Sequence, residues 1–208
     1  MTTPADSEFP TARPAGLEVV SFGATWWRID LDHPDDWSWD PPPCAQERFD
    51  PRTCRFRVRY AASSRVAAAR ECFPDRCLQA EHGDQWLVRL EGTVDMLDLT
   101  DVATLDALGL DDRISTGRLD DTDGGDDPLL IRAQALADAV WDWWDGEPPA
   151  LLYRNQSTPT ARSLAFHVDV TWSRVTACRL RSARGLLQEL TAQHRFVVPV
   201  SFDSAATT

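Results

Sequence analysis

Five positions or segments carry residue types suited to chemistry on a nucleotide: Arg28, Arg48, Tyr60, Glu71 and the YRNQST run from Tyr153 to Thr158. Two guanidiniums suit a diphosphate, because arginine grips such oxygens bidentately and stays charged at any working pH. An aromatic wall suits a flat ring. A single carboxylate in a pocket suits positive charge developing on a sugar carbon, as when a glycosidic bond breaks through an oxocarbenium-like state. Together these groups fit a nucleotide whose base is being removed, and NAD fits best.

The elements that position them begin with Arg55–Phe73, RFRVRYAASSRVAAARECF. Arg55, Arg57 and Arg59 alternate with Phe56, Val58 and Tyr60, the period of a half-buried strand that turns Tyr60 inward. The small residues Ala61–Ser64 make a turn in which Ser63 or Ser64 can cap the next helix. On that helix Glu71 lies one turn beyond Ala67 and Ala68, a small-residue floor that leaves room for a ligand, while Val66, Ala69 and Phe73 form the packing stripe.

Around this unit, Leu17–Ile29 reads as a first strand ending in Trp26, Trp27 and Arg28. Residues Asp30–Pro51 contain HPDDWSWDPPP and read as a long loop, which carries Trp37, Trp39, Arg48 and Phe49. Two further strands are expected at Gln85–Leu90 and Val94–Leu99. A short helix capped by Thr100 or Asp101 and ending near Gly109 follows. The aspartate-rich stretch Asp111–Asp127 reads as a solvated loop; it lacks the Asp-x-Asp-x-Asp-Gly pattern with distal glutamate that calcium needs. Asp127-Pro128 opens a helix that runs to Trp144 and stops at Gly146, its Trp141, Trp143 and Trp144 serving packing. Strands at Ala150–Arg154, Ser163–Val170 and Ala177–Leu180, a helix at Ala183–His194 and a strand at Phe196–Phe202 complete the chain. The class is α+β: a compact single domain, residues 17–203, of short mixed strands with three or four helices, behind a disordered lead-in at 1–16.

Composition narrows the function. Net charge is −12, a surface that repels nucleic acid and suits small molecules or basic proteins. All 21 basic residues are arginine, which removes Schiff-base chemistry and the phosphate-loop lysine. The odd cysteine count argues against a disulfide framework, and Cys72, Cys77 and His82 lack the spacing of a zinc site, so the thiols are expected to be buried. His33 and His167 read as structural or surface residues. There is no signal-peptide pattern and no apolar run of membrane-spanning length, so a cytoplasmic location is expected. The leucine and tryptophan faces could serve a homodimer.

The order of these segments resembles the RES domain family, named for an arginine, a glutamate and a serine. The matching pieces are WWRID around Arg28, ERFDP around Arg48, RYAASSRVAAARECF with Tyr60 and Glu71, LDLTDVATLDALGLDDRIS, and LLYRNQSTPTARSLAFH, spread over residues 20–170. The resemblance implies a fold like that of ADP-ribosyltransferases. It also implies a bacterial toxin that cleaves the nicotinamide–ribose bond of NAD by hydrolysis or by phosphorolysis with inorganic phosphate, and that needs no metal or further cofactor. An antitoxin with a helix-turn-helix domain would block the site. Arg28 and Arg48 would hold the diphosphate or the acceptor, Tyr60 would pack on the nicotinamide or ribose, and Glu71 would orient the ribose and stabilise the cation. The family's late motif usually runs Tyr-x-Ser-Arg. Here Asn155 stands at the serine position and Ser157 two residues beyond, and either could take the serine's place. ADP-ribosyl transfer, or nucleotide binding without turnover, are the rival readings.

Overall fold

Val19–Asp30 (β1) runs antiparallel beside Trp86–Asp98 (β3), paired without a break from Val19↔Leu97 to Asp30↔Trp86. The computed structural model describes residues 8–116, 127–168 and 170–202. Within them the remaining strands are β2 (Arg59–Ala62), β4 (Ala150–Arg154), β5 (Arg162–Phe166) and β6 (Arg174–Arg179). The order is β1-β2-β5-β4-β3-β6, and the extra β1–β3 pairing joins the first five strands into a ring with β6 outside it. β3 and β4 are parallel and the other pairs antiparallel, so the sheet is mixed.

Alternation along the strands sends Trp26, Ala61, Val88, Leu90, Met96, Leu152, Leu164 and Phe166 to one face, where they form a single buried cluster. The opposite face is covered by helices. α1 (Arg65–Cys72) and α5 (Arg184–His194) close one end through Val66, Ala69, Phe73, Leu186 and Leu190. α2 (Val102–Leu108), α3 (Arg113–Thr116) and α4 (Pro128–Trp143) pack with Leu151, Tyr153 and Phe49 at the other. Five α-helices are thus present among the described residues, against three or four expected; the added one is α3, a single turn within the stretch read as loop. The rest of that stretch, 117–126, lies outside the described residues.

Local signals set the helix ends. Ser64 accepts from the Ala67 amide to start α1. Asp101 caps α2, and Gly109, at φ +63°, stops it in the left-handed conformation that glycine tolerates. Asp127 caps α4 ahead of Pro128.

Long-range packing overrules other expectations. β2 starts at Arg59, not Arg55, because residues 55–58 are drawn elsewhere. Arg55 bonds Asp142 and the Asp138 carbonyl on α4, Phe56 stacks on Trp141 with centroids 4.1 Å apart, and Arg57 donates to the Asp40 carbonyl. Nor do the three arginines share a wet face, since Arg59 is buried. The two strands expected around Gly92 are the single strand β3. Gly92 does not break it; its missing side chain lets the Thr171–Ser173 backbone approach, with Thr171 O 3.3 Å from where a Cβ would stand. The expected last strand is one bridge, Cys77↔Val197, before Pro199 and a 3-10 turn at Val200–Phe202. Residues 8–16, expected as part of a disordered lead-in, are docked: Phe9 is buried and Trp143 Nε1 donates to the Pro10 carbonyl at 2.9 Å. The cysteines are not buried thiols. Cys44, Cys72 and Cys178 are exposed, Cys54 and Cys77 half-buried, and all five are free.

Candidate functional site

One cross-strand row organises the site. Register places Trp27 of β1 beside Ala62 of β2, Ala62 beside Ser163 of β5, and Ser163 beside Tyr153 of β4. Side chains opposite one another on paired strands share a face, so this row lies under α1, whose Ala67 and Ala68 pack on Ala62. The alanines let α1 come close, and Glu71 in its last turn reaches down onto the row. Ser163 Oγ donates to Glu71 Oε1 at 3.0 Å and accepts from Asn155 Nδ2 at 2.9 Å. It also hydrogen-bonds the Tyr153 phenol. A hydroxyl has one hydrogen to give, and with Asn155 donating to it the fully buried Ser163 gives its hydrogen to the carboxylate.

Burial pushes the Glu71 carboxyl up to about 7, against the pull of the Ser163 and Asn155 hydrogen bonds. The Glu47 charge raises it further and Arg48 lowers it. A carboxyl poised near neutrality in a cleft is where acid–base or cation-stabilising chemistry is done.

Above Glu71 opens a cavity of about 830 Å³, lined among others by Arg28, Arg48, Tyr60, Glu71, Tyr153 and Ser157. That volume accommodates a dinucleotide-sized ligand. The structure therefore brings together five of the six residues singled out from the sequence. The exception is Asn155, which is buried outside the cavity lining and acts on Ser163.

Arg28 is held by three contacts. Its Nε donates to Asp30 Oδ2 at 2.5 Å, its NH1 to the Tyr60 carbonyl at 2.9 Å, and its guanidinium lies near the Trp37 ring. Asp30 also takes Arg59 NH1 at 2.8 Å, so one buried carboxylate serves two arginines. Burial, then Arg28's charge, brings the Arg59 guanidinium down to about 10. Arg48 is buried in the opposite wall, where NH1 donates to the Ile114 carbonyl at 2.7 Å and burial lowers its proton affinity.

Tyr60 does more than offer a ring. Its hydroxyl donates to Asp50 Oδ1 and accepts from the Phe49 amide, both at 3.0 Å. Asp50 Oδ2 takes the Gln46 and Glu47 amides at 3.0 and 2.9 Å. Burial raises the Tyr60 and Tyr153 phenols well above their ordinary range, so both stay protonated donors. The loop bearing Arg48 is thus fastened to β2 at the site.

Sequence reading missed Ser163. The residue was visible as a small polar side chain in the otherwise apolar SLAF strand, a pattern that in a buried strand asks for a partner. Glu47 and Asp50 were missed too, being two acids in an acidic loop. Among the described residues no group of three or more His, Cys, Asp or Glu side chains is arranged to hold a metal ion. His33 caps a turn by accepting from the Asp35 amide, and His167 pairs its Nε2 with the Pro148 carbonyl, both structural uses.

The half-buried glutamate and the buried serine thus lie beneath an arginine-flanked cavity within a ring of mixed strands. The RES domain model covers residues 25–181, and the chain belongs to that family. Among solved structures, the chain is similar to one in the crystal structure of the M. tuberculosis MbcT–MbcA toxin–antitoxin complex. The TM-score is 0.51 at 18% identity, over 81% of this chain and 91% of that one, a likeness of fold. No curated protein matches.

Proposed function

We propose that this protein consumes NAD by cleaving its nicotinamide–ribose bond, by hydrolysis or phosphorolysis, and acts as the toxin of a pair whose antitoxin carries a helix-turn-helix domain. The observation that carries the reading is Glu71, a half-buried carboxylate that Ser163 fixes on the floor of a cavity flanked by Arg28 and Arg48.

In this reading the diphosphate lies against the arginines and the nicotinamide ribose over Glu71. As the glycosidic bond lengthens, positive charge spreads over the ribose ring oxygen and anomeric carbon, and the Glu71 carboxylate stabilises it from a fixed distance. Nicotinamide leaves neutral, so the leaving group needs no proton. The Ser163 hydrogen bond keeps the carboxylate oriented and favours its charged form. Tyr60 and Tyr153 supply the aromatic walls. Asn155, which occupies the family serine's place in the motif, steadies Ser163, and the serine–glutamate contact is made from β5. The described residues contain no helix long and apolar enough to cross a membrane.

The test is nicotinamide release from NAD by purified protein, with and without inorganic phosphate, beside Glu71→Ala. Release that is lost in the variant supports the reading, and phosphate dependence selects phosphorolysis. A folded wild type that binds NAD and releases nothing overturns it.

A further inference from the structure

Three carboxylates line the cavity: Glu47, Asp50 and Glu71. Asp50 is spent on Tyr60 and two backbone amides, and Glu71 on Ser163. Among the described residues the Glu47 carboxylate forms no hydrogen bond, although its backbone is pinned on both sides. The Glu47 amide donates to Asp50 Oδ2, and its carbonyl accepts from Gln134 Nε2 of α4 at 3.2 Å. A fixed main chain therefore sets in the loop wall of the cavity an acid that has no hydrogen bond among the described residues and feels the charges of Asp50 and Arg28, while Glu71 enters from α1. The two share one cavity, and Glu47's charge raises Glu71's proton affinity. By area Glu47 is exposed, as a side chain in the wall of an open cavity is, which leaves it a route for protons to solvent.

We propose that Glu47 is the general base that deprotonates the attacking water, and that its charge disfavours phosphate as the acceptor. The proposal rests on the NAD-cleaving reading above. Glu71 is unsuited to the role: it must remain anionic while the ribosyl cation forms, and accepting a proton would remove the charge it contributes. In the step assigned to Glu47, the water oxygen bonds to the anomeric carbon. The carbon–nitrogen bond to nicotinamide breaks, its electron pair going to the ring nitrogen, and one water proton passes to the Glu47 carboxylate and on to solvent. NAD and water thereby give ADP-ribose, nicotinamide and one proton. Phosphate, already an anion, needs no base and is repelled by this one; the Arg28 guanidinium, whose charge acts on Glu47, offsets part of that repulsion.

The experiment is Glu47→Gln, which keeps shape and removes charge, with products from NAD resolved into ADP-ribose and its 1″-phosphate. Thermal melting establishes that the variant is folded. Hydrolysis is expected to fall on the order of 10²-fold, the usual contribution of a positioned base. Phosphorolysis in added inorganic phosphate should persist or rise, and azide, a nucleophile that needs no deprotonation, should restore nicotinamide release. A variant that hydrolyses NAD as the wild type does, or that loses both products equally without azide rescue, overturns the role while leaving the NAD reading intact. A wild type with no nicotinamide release overturns both.

Discussion

On the α1 side of the cavity, Glu71, Ser163, Tyr153 and Asn155 form a buried network set by strand register and one close helix. Across from it, residues 31–58 run without strand or α-helix, and hold Glu47, Arg48, Asp50 and Arg57 chiefly by ties to side chains. Those ties reach two ways. Toward α4 they are Gln134 on the Glu47 carbonyl, Asp138 on the Thr53 amide and Trp141 under Phe56. Toward the strands they are Tyr60 on Asp50 and Phe49, and Arg59 between the Trp37 and Trp39 rings with NH2 on the Ser38 carbonyl. The floor is over-determined by backbone pairing, so its residues are free to be tuned for chemistry. The loop wall depends on each tie, so its residues serve stability and binding together.

The largest expected effect tests the loop wall. Asp30→Asn leaves two arginines, one of them fully enclosed, without their shared counter-charge, and should cost about 3–5 kcal/mol in chemical denaturation. It should also weaken NAD binding as Arg28 loses its clamp. A loss under about 1 kcal/mol, the level of an exposed pair, would show that the wall stands without this tie.

Ser163→Ala tests the floor. Losing the donor removes a pull that lowers Glu71's proton affinity, so the pH–rate profile should move to higher pH. Nicotinamide release at neutral pH should drop roughly 10–10²-fold with KM little changed, about 1.4–2.7 kcal/mol at the transition state. A fall in rate with no alkaline shift would make Ser163 a packing residue only.

Glu71→Gln reads the same network through stability. The folded carboxyl titrates at about 7 against an ordinary 4.5, so the folded state keeps a proton that the unfolded chain releases. Stability fully present below 4.5 is therefore lost as pH rises through about 7. Glutamine does not titrate, so the variant should gain on the wild type by on the order of 2 kcal/mol between pH 4.5 and 8. Parallel melting curves across that range would mean that Glu71 is better solvated than its burial implies.

Smallest is Tyr60→Phe, which keeps the ring and deprives the Phe49 amide and Asp50 of a partner. About 1–2 kcal/mol of stability should be lost, together with some order in the Glu47–Asp50 segment, measurable by amide exchange of Phe49. An unchanged Phe49 amide would show that α4 alone holds the loop.

Local chemistry was legible in advance. Ser64, Asp101 with Gly109, and Asp127-Pro128 delimit α1, α2 and α4 because a cap satisfies backbone groups within its own few residues. The stripe on α1 that separates Glu71 from Val66, Ala69 and Phe73 is likewise a matter of helical period. Strand bounds were less legible where side chains had distant claims on them. Arg55 and Phe56 alternate as a strand should, yet α4 draws them away, and nothing within Arg55–Tyr60 reports that pull. Pro199 could have warned against a last strand, since a proline withholds its ladder hydrogen bond.

By itself, the sequence determined part of the site's inventory and the family: an arginine near the end of β1, a tyrosine on the next strand, a glutamate over alanines on the next helix, and no lysine for Schiff-base or phosphate-loop chemistry. It also determined which segments cap and stop, since those signals act over a few residues. The tertiary structure alone decided that Ser163, 92 residues from Glu71, is the hydroxyl that holds it, and that Asn155 stands behind that serine. It also decided that Glu47 and Asp50 both line the cavity, Asp50 bonded to Tyr60 and Glu47 without a hydrogen bond among the described residues. Strand register and loop anchoring couple positions far apart in the chain, and a contact of that kind has no period or spacing to announce it.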